Sequence, residues 1–224
     1  MIKNILNLGD AALYCDFGKD VNKETNIQVI RYFKSIQNKN IEGINNLTPS
    51  YNKLIVSFDL KKTNFKDLKN IIENLTITNS SDLKNKKIEI PVCTHENFSL
   101  DIKRLEQILN LSREDIYKNF FNKEFFCYMT GFIAGMPFLG DLDYNMRAER
   151  LETPRVKVPK GSIGLTEQFA NIYTYESPGG WNIIGNTPMN IFNNLKEKDP
   201  NLINPGDIIS FKEITKDQYN NYND

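Results

Sequence analysis

Two spacings of hydrophobic residues alternate along the first ninety residues of the chain. Four short apolar runs, each bounded by turn residues, predict strands at residues 5–8, 11–17, 41–47 and 54–58. Apolar residues at helical spacing predict two helices, one presenting Val29, Phe33 and Ile36 and a second presenting Phe65, Leu68, Ile71, Ile72 and Leu75. The Thr63-Asn64 pair has the side chains that cap a helix, so we expect the second helix to begin there.

A further strand completes this first region. The polar connector Lys84–Lys87 leads into Ile88-Glu89-Ile90-Pro91-Val92, which alternates as a strand does. The resulting order of strands and helices resembles a ferredoxin-like α/β sandwich, and we assign it to residues 1–90. The fold class expected for the whole chain is therefore α+β.

The pattern changes twice after residue 90. Residues 91–124 are predicted to be a helical connector of two short helices, the second opening with a Ser112 and Asp115 capping box. From residue 125, glycines, prolines and short apolar runs alternate, which predicts a β-barrel or sandwich over residues 125–216. Within it we expect one helix at 189–196 and a last strand at 207–214. Residues 217–224 are predicted to be a frayed polar tail.

Composition and charge narrow the functional classes. The 224 residues are 40% hydrophobic, which is enough for a real core, and 28 basic residues balance 28 acidic ones. No net field is present to hold a polyanion, so we expect neither nucleic acid nor an anionic membrane as a partner. The first residues lack a long apolar segment and no run of 18 apolar residues occurs, so we expect a cytoplasmic protein.

The cysteines give no sign of a disulfide framework or a metal site. Cys15, Cys93 and Cys127 are far apart and form no C-x-x-C pair. We therefore expect three reduced core residues and no metal ligands. Cys93 and His95 are two residues apart and could form a base and nucleophile pair or act as two ligands, although strand spacing alone would also place them on one face.

The sequence features with the most chemical content are three clusters of glycine and proline in the second half. They cover residues 131–140, 154–164 and 177–181, and the last contains the only tryptophan, Trp181. Gly179 and Gly180 allow close approach of a backbone or a ligand, while Pro178 fixes the entry to the turn. We expect these loops to converge on one mouth of the barrel as a binding site, with a tight hairpin capping the core as the alternative.

Together these motifs resemble the B-subunit family of bacterial 5-oxoprolinase, also described as allophanate hydrolase subunit 1 or the carboxyltransferase-domain family. The resemblance rests on Gly131–Gly140, on Pro154–Gly164, on Ser177-Pro178-Gly179-Gly180-Trp181 before Ile184–Pro188, and on Pro205-Gly206-Asp207 before the last strand. Leu8–Leu13 and Ile90–Val92 also resemble the family, so the likeness covers nearly the whole chain.

This resemblance implies an N-terminal α/β domain followed by a cyclophilin-like β-barrel. It also implies one component of an ATP-dependent, hetero-oligomeric hydrolase that opens 5-oxo-L-proline to L-glutamate with the A and C subunits of 5-oxoprolinase, and that is inactive alone. ATP is then a co-substrate, with Mg²⁺ expected beside it. A related branch inhibits a sporulation histidine kinase by binding, and related domains act on urea derivatives, so a regulatory module and an allophanate or urea-type amidohydrolase component remain alternatives.

Opening a lactam with ATP needs cations that hold phosphate and carboxylate, and donors for charge on the carbonyl oxygen. Arg155 is the leading catalytic candidate, because Pro154 stiffens its backbone and a guanidinium can bind such anions in a bidentate way. The resemblance adds Gln168, whose amide could donate to a carbonyl oxygen, and the basic positions Arg150 and Lys157. Solvated charges and hydrogen bonds within turns are the structural alternatives for these three residues.

The predicted binding set is completed by the glycine-rich motifs. Ser177 and the backbone amides of Gly179 and Gly180 could form a small anion nest, and they could equally bond within their own turn. Trp181, Gly135 and Pro137 belong to the motifs of the family resemblance. Asp141 and Asp143 could hold magnesium through one carboxylate, although such a pair more often caps a turn.

The chain also departs from the family pattern. Phe120 or its neighbour stands where the family has a histidine, and Asn186 stands where it has an arginine. Smaller departures occur at Ala134, Glu149, Lys160 and Phe169-Ala170. If the histidine and the arginine were catalytic, a general base and an anion clamp would be missing here, which would favour the regulatory alternative.

Overall fold

The computed structural model describes residues 1–77 and 85–223. The chain divides into two compact units, Met1–Asn85 and Lys86–Asp224. Lys84, the first residue of the predicted connector, and Asp224, the last of the predicted tail, lie outside the described residues. Within the described part, no helix is both long enough and apolar enough to cross a membrane.

The first unit is a four-stranded antiparallel sheet with two helices. Its elements are β1 (Asn4–Asn7), β2 (Ala12–Asp16), α1 (Lys23–Lys39), β3 (Ile44–Pro49), β4 (Lys53–Phe58) and α2 (Phe65–Glu73). The sheet order is β1-β2-β4-β3. The Asn64 side chain accepts a hydrogen bond from the backbone N–H of Asp67 at 3.1 Å, which confirms the predicted cap of α2.

The ferredoxin-like arrangement is not confirmed, because its last strand lies elsewhere. Residues 88–92 belong to β5 (Lys87–Cys93), which pairs with β13 (Ile208–Ile214) in the second unit. The edge beside β2 is occupied by β1 instead. A short hairpin through Gly9, with a φ of 60°, brings β1 to that edge at a small loop-closure cost. The predicted boundary at residue 90 therefore falls inside a strand.

The second unit contains nine strands and three helices among its described residues. In addition to β5 and β13 they are α3 (Ile102–Leu109), α4 (Arg113–Phe121), β6 (Glu124–Thr130), β7 (Pro137–Gly140), β8 (Arg155–Val158), β9 (Ser162–Thr166), β10 (Phe169–Ile172), β11 (Ser177–Gly179), β12 (Asn182–Asn186) and α5 (Lys216–Asn220). A short 3₁₀ helix spans Tyr144–Met146.

Seven of these strands close into a barrel, which is one of the two architectures that the glycine-rich and proline-rich pattern predicts. Their order is β10-β7-β6-β13-β5-β12-β9, and β9 pairs with β10 to complete the ring. The barrel interior is filled by apolar side chains, among them Leu139, Leu165, Ile172 and Ile184. The helices α3 and α4 contribute to the same cluster, so the predicted connector packs as part of the barrel unit.

Two local predictions are wrong. Residues 189–196 form an isolated bridge and turns instead of a helix, and Phe192 pairs with Asn201 there. The predicted frayed tail contains α5, which begins with a capping box between Thr215 and Gln218. The Tyr219 ring packs on Phe98 at 4.6 Å between centroids, so contact with the barrel unit holds this helix in place.

Candidate functional site

A two-stranded ribbon covers part of the outer wall of the barrel. It consists of β8 and β11, with Ser177 opposite Val158 and Gly179 opposite Arg155. Val158 packs with Tyr173 and Ile183 in a cluster separate from the barrel interior. Ile184 packs in the barrel interior, whereas its neighbour Ile183 packs with Val158 of the ribbon and therefore faces outward.

A pocket of about 360 Å³ lies beside this ribbon. It is lined by Phe132, Met136, Phe138, Arg150, Pro154, Tyr173, Pro178, Gly179, Gly180 and Trp181. The rings of Phe138 and Trp181 meet edge to face, with centroids 5.6 Å apart. Arg150 is exposed and is the charged residue among the described residues of the lining. The pocket therefore combines aromatic walls with one exposed cation, a lining typical of small-molecule sites.

The glycine and proline clusters converge as predicted, but on the wall of the barrel and not at its mouth. All three clusters contribute lining residues: Phe132 and Met136 from the first, Pro154 from the second, Trp181 from the third. A seven-stranded barrel has an interior that side chains can fill, and this one is filled by its apolar cluster. The outer wall under the ribbon is where space for a ligand is left.

Gly179 and Gly180 of the Pro-Gly-Gly turn have different steric environments. A Cβ on Gly179 would overlap the hydroxyl of Tyr173, whereas a Cβ on Gly180 would have its nearest neighbour, Cγ of Pro154, at 3.5 Å. Gly179 is therefore required by the close approach of Tyr173. Burial raises the pKa of Tyr173, and the nearby Asn171 side chain, Trp181 backbone and Arg155 charge oppose that rise. The phenol stays protonated at neutral pH.

Arg155 is held by a buried carboxylate that no sequence motif predicted. Its Nη2 donates to Oδ1 of Asp101 at 2.6 Å, and the Asp101 side chain is only 5% exposed. Oδ2 of Asp101 accepts from the backbone N–H of Ile183 at 2.7 Å. Asp101 precedes α3 but its side chain does not cap that helix. The ion pair therefore ties the ribbon to β12 and fixes the Arg155 guanidinium.

Three buried polar atoms around this ribbon have no hydrogen-bond partner. They are Nη1 of Arg155, Oδ1 of Asn171 and Oγ of Ser177, out of five such side-chain atoms in the described part of the chain. Asn171 is fully buried, and its Oδ1 lies where a Cβ on Gly164 would be 2.5 Å away. An unsatisfied buried polar atom costs about 1–3 kcal/mol, so this concentration marks a region built for more than packing.

The structure places the predicted site residues in three groups. Arg150, Gly179, Gly180 and Trp181 line the pocket. Arg155 and Ser177 lie on the adjoining ribbon, and Pro137 lies between two lining residues without lining the pocket itself. The remaining three are Lys157, which also lies on β8, and Gln168 and Gly135, and their side chains or backbone make contacts away from the pocket.

Those three contacts are structural. Lys157 is exposed and pairs with Glu176 at 2.9 Å. Gln168 donates to Oδ1 of Asp141 at 3.4 Å, at the β9–β10 turn. Gly135 has a φ of 70° and lies against the Phe192 ring, so a side chain there would collide with that ring.

The other carboxylates and the histidine are also outside the pocket. Asp141 accepts from the Tyr128 hydroxyl at 2.8 Å, and Asp143 is paired with Lys123. His95 lies beyond the end of β5, where its Nδ1 accepts from the backbone N–H of Asn97 at 3.3 Å. Among the residues that the structure describes, no group of three potential metal ligands is present.

The two main departures from the family pattern are at positions outside the pocket. Phe120 is fully buried on α4, stacked on Phe211 with centroids 4.7 Å apart. Asn186 donates to the backbone carbonyl of Lys160 at 2.9 Å and accepts from the Tyr219 hydroxyl at 2.8 Å. Neither position contributes to the lining, so these departures leave the pocket intact.

Sequence reasoning missed Tyr173, Asp101 and Asn171. The signal for Tyr173 is indirect: a glycine that follows a proline in a turn predicts that something approaches it closely, but not what. Asp101 directly precedes a helix, where an Asp is usually a helix cap, so its residue type predicts a cap and not a partner for Arg155. Asn171 lies in a strand of otherwise apolar residues, where its amide is the one polar side chain.

Comparison with known proteins agrees with the motifs. Residues 3–203 match the family described as carboxyltransferase domain, subdomain C and D. The chain is 30% identical to the 5-oxoprolinase B subunit of Bacillus subtilis, over 97% of this chain and 95% of that protein. A crystal structure of TTHA0988 matches 91% of this chain at a TM-score of 0.82 and 26% identity. This chain spans only 40% of TTHA0988.

One further solved structure bears on the fold alone. The Kluyveromyces lactis urea carboxylase matches 96% of this chain, and 22% of its own, at a TM-score of 0.76 and 17% identity. At that identity the likeness supports a shared architecture of an α/β unit and a closed barrel.

Proposed function

The chain belongs to the family described as carboxyltransferase domain, subdomain C and D, and within it to the 5-oxoprolinase B subunits. We propose that it is the B subunit of an ATP-dependent 5-oxoprolinase. In this proposal it helps to open 5-oxo-L-proline to L-glutamate with ATP hydrolysis, in the cytoplasm, with homologues of the A and C subunits. ATP enters as a co-substrate with Mg²⁺. The barrel is proposed to be of the cyclophilin-like type, on the motifs of the family resemblance.

The observation that carries the proposal is the pocket beside the ribbon. Its volume of about 360 Å³ is in the range of small-molecule sites, and its lining residues other than Arg150 and Tyr173 come from the same motifs that identify the family. The exposed guanidinium of Arg150 can bind the carboxylate of 5-oxoproline in a bidentate way, while Phe138 and Trp181 contact the ring. The proposal assigns no substrate contact to Gln168 or Lys157.

The same pocket supports the proposal that the protein is inactive alone. Among its described lining residues there is no Asp, Glu, His, Lys, Ser or Cys that could act as a general base or hold a phosphate chain. Arg150 supplies one cation, and the Arg155 guanidinium is already paired with Asp101. The groups that activate water and bind ATP are therefore proposed to come from the partner proteins.

The test is co-expression of this chain with the A-subunit and C-subunit homologues of its own genome, followed by an assay of 5-oxoproline-dependent release of ADP and glutamate. We expect product only from the full set of three proteins. Arg150→Ala should lower kcat/KM at least about tenfold, which is about 1.4 kcal/mol. Lys66→Ala, which removes an exposed charge from α2, should leave the rate unchanged.

Two results would contradict the proposal. One is turnover of ATP by the isolated chain in the presence of 5-oxoproline. The other is a stable complex of all three proteins that releases no glutamate, which would favour a regulatory module that binds a histidine kinase. The exposed side chains of Phe132 and Val156, 75% and 80% accessible, would then be the first candidates for a docking surface.

A further inference from the structure

We propose that Phe132 is a substrate-binding residue whose ring covers the cyclic amide in the pocket. The inference rests on the proposed function, because its ligand is the substrate of that reaction. Phe132 lines the pocket and its side chain is 75% exposed. Of the other aromatic residues of the lining, Tyr173 is buried, and Phe138 and Trp181 are half-buried. Phe132 therefore presents the largest fraction of accessible ring surface to a ligand.

The backbone of Phe132 has a conformation that its residue type disfavours. Its φ is 69°, in the left-handed region that residues other than glycine rarely adopt. Asn and Asp tolerate this region best, and they account for three of the other four such residues in the described part of the chain, which are Asn40, Asn110, Glu167 and Asp199. Phe132 is the aromatic exception. Backbone strain of this kind is concentrated at binding and catalytic sites.

The loop between β6 and β7 is held so that this strain persists. The backbone N–H of Gly131 donates to the carbonyl of Met136 at 3.0 Å, which closes the loop around Phe132. The carbonyl of Ala134 accepts from Oγ1 of Thr174 at 2.6 Å, which ties the loop to the residues after β10. These bonds fix the position of Phe132 at the pocket before any ligand arrives.

Packing within the protein does not explain this placement. The neighbouring Ile133 packs against the cluster of Met136, Val158 and Tyr173, whereas the Phe132 side chain is turned to solvent. A side chain that is 75% exposed gains little stability from burial, so neither packing nor backbone preference favours Phe132 here. A ligand ring in the pocket would bury part of the Phe132 ring and supply the missing contact.

The contact adds binding that the charged group of the pocket cannot supply alone. Arg150 is exposed, and an ion pair in contact with water contributes little to affinity. An aromatic ring over the substrate buries apolar surface and removes water beside the pair, which strengthens the attraction between guanidinium and carboxylate. Phe132 would contact the ring equally in the ground state and in the transition state, so its effect should fall on KM.

The first experiment measures 5-oxoproline kinetics in the assembled complex of three proteins. We expect Phe132→Ala to raise KM at least about fivefold with kcat changed less than about twofold, because uniform binding is lost. Phe132→Tyr keeps the ring and should retain the wild-type KM. The matched control is Tyr144→Ala, which removes an aromatic side chain that is 87% exposed and lies outside the pocket lining. Its KM should equal that of the wild type.

A second comparison separates the ring from the backbone beneath it. Phe132→Asn and Phe132→Ala both remove the ring and should raise KM equally. Asn tolerates the left-handed conformation better than Ala, so Phe132→Asn should unfold at a higher urea concentration than Phe132→Ala. A lower urea midpoint for Phe132→Asn would overturn the inference that the loop holds this residue against its backbone preference.

The kinetic results distinguish this inference from the proposed function. If the wild-type complex releases no glutamate, the proposed function is wrong and the role of Phe132 falls with it. If the wild type is active and Phe132→Ala keeps a KM within about twofold of it, the inference is overturned while the function stands. Loss of complex assembly in Phe132→Ala, measured by size-exclusion chromatography, would indicate a contact with a partner protein and would also overturn it.

Discussion

On the inner face of the barrel wall, Leu165 of β9 packs among apolar side chains opposite Ala170 of β10. One residue further along β10, on the outer face, Asn171 lies opposite Gly164 with its Oδ1 unpartnered. The two positions are equally buried, yet one is satisfied by packing and the other is not. Burial alone therefore does not identify a position that serves only the packing of the fold. The outer face carries a cost in stability that the inner face does not.

Exchanging the side-chain types of these two positions should change the stability of the protein strongly at one of them and little at the other. Leu165→Asn should lower the free energy of unfolding by about 3–5 kcal/mol, because it removes apolar contacts and buries an unpartnered amide. Asn171→Leu, of similar shape, should cost less, about 1–2 kcal/mol, because it removes an oxygen that is already unpartnered, although it also removes the contact of Nδ2 with Sδ of Met136. Urea unfolding followed by the fluorescence of Trp181 measures both. Losses of equal size would show that the two faces do not differ.

A second prediction compares two ion pairs of the ribbon, the half-buried pair of Arg155 with Asp101 and the exposed pair of Lys157 with Glu176. Asp101→Asn removes the charge partner of Arg155 and should cost about 2–3 kcal/mol, less than a fully buried pair, because the Arg155 side chain is 28% exposed. Glu176→Gln removes the exposed partner of Lys157 and should cost less than about 0.5 kcal/mol. The same urea titration measures both variants. A similar cost for the two substitutions would mean that Asp101 is not held as tightly as its hydrogen bonds indicate.

The third prediction concerns the pH dependence of stability, where a smaller change is expected. Burial raises the pKa of the Cys127 thiol, inside the barrel, above its ordinary value of 9.0. The folded state therefore keeps a proton that the unfolded state loses, and stability falls as pH rises above 9, by about 1.4 kcal/mol per pH unit. Between about pH 8 and pH 10, the free energy of unfolding of Cys127→Ala should therefore fall by about 1.4 kcal/mol less than that of the wild type. Urea unfolding in reductant at both values checks this.

The Tyr173 hydroxyl on the outer face provides the contrast for that measurement. Its pKa is also raised, but from an ordinary value of 10.0, so its contribution begins to fall about one pH unit later. Tyr173→Phe should therefore alter the pH dependence of the free energy of unfolding over the same pH range less than Cys127→Ala does. Identical slopes for wild type and Cys127→Ala would refute the assignment of the thiol to the barrel interior.

Much of the fold follows from local pattern. The helices around Val29 and Leu68 and most strands of the barrel were predictable, because amphipathic spacing and turn residues act over short distances. The partner of β5 was not, because pairing with β13 depends on residues more than a hundred positions away. The helix expected at 189–196 failed for a related reason: its apolar residues serve a bridge to Asn201 instead of one helical face.

The site was predictable to the level of motifs. The turn around Gly179 and the family were identified from residue types alone, and the family is confirmed. Which of the two arginines is held in an ion pair was not predictable, because the partner of Arg155 is Asp101, which lies 54 positions away in the sequence. Sequence spacing holds no information on that contact.

The parallel pairing of β5 with β13 has a consequence for the order of events during synthesis. The barrel needs β13 between β5 and β6, so no ring can close until residues 208–214 have emerged from the ribosome. The unit of residues 1–85 has all its strand partners within its own length and can fold first. Nascent chains therefore carry an open sheet with unpaired edges for most of the time that the barrel is being made, which is when chaperones would have most to protect.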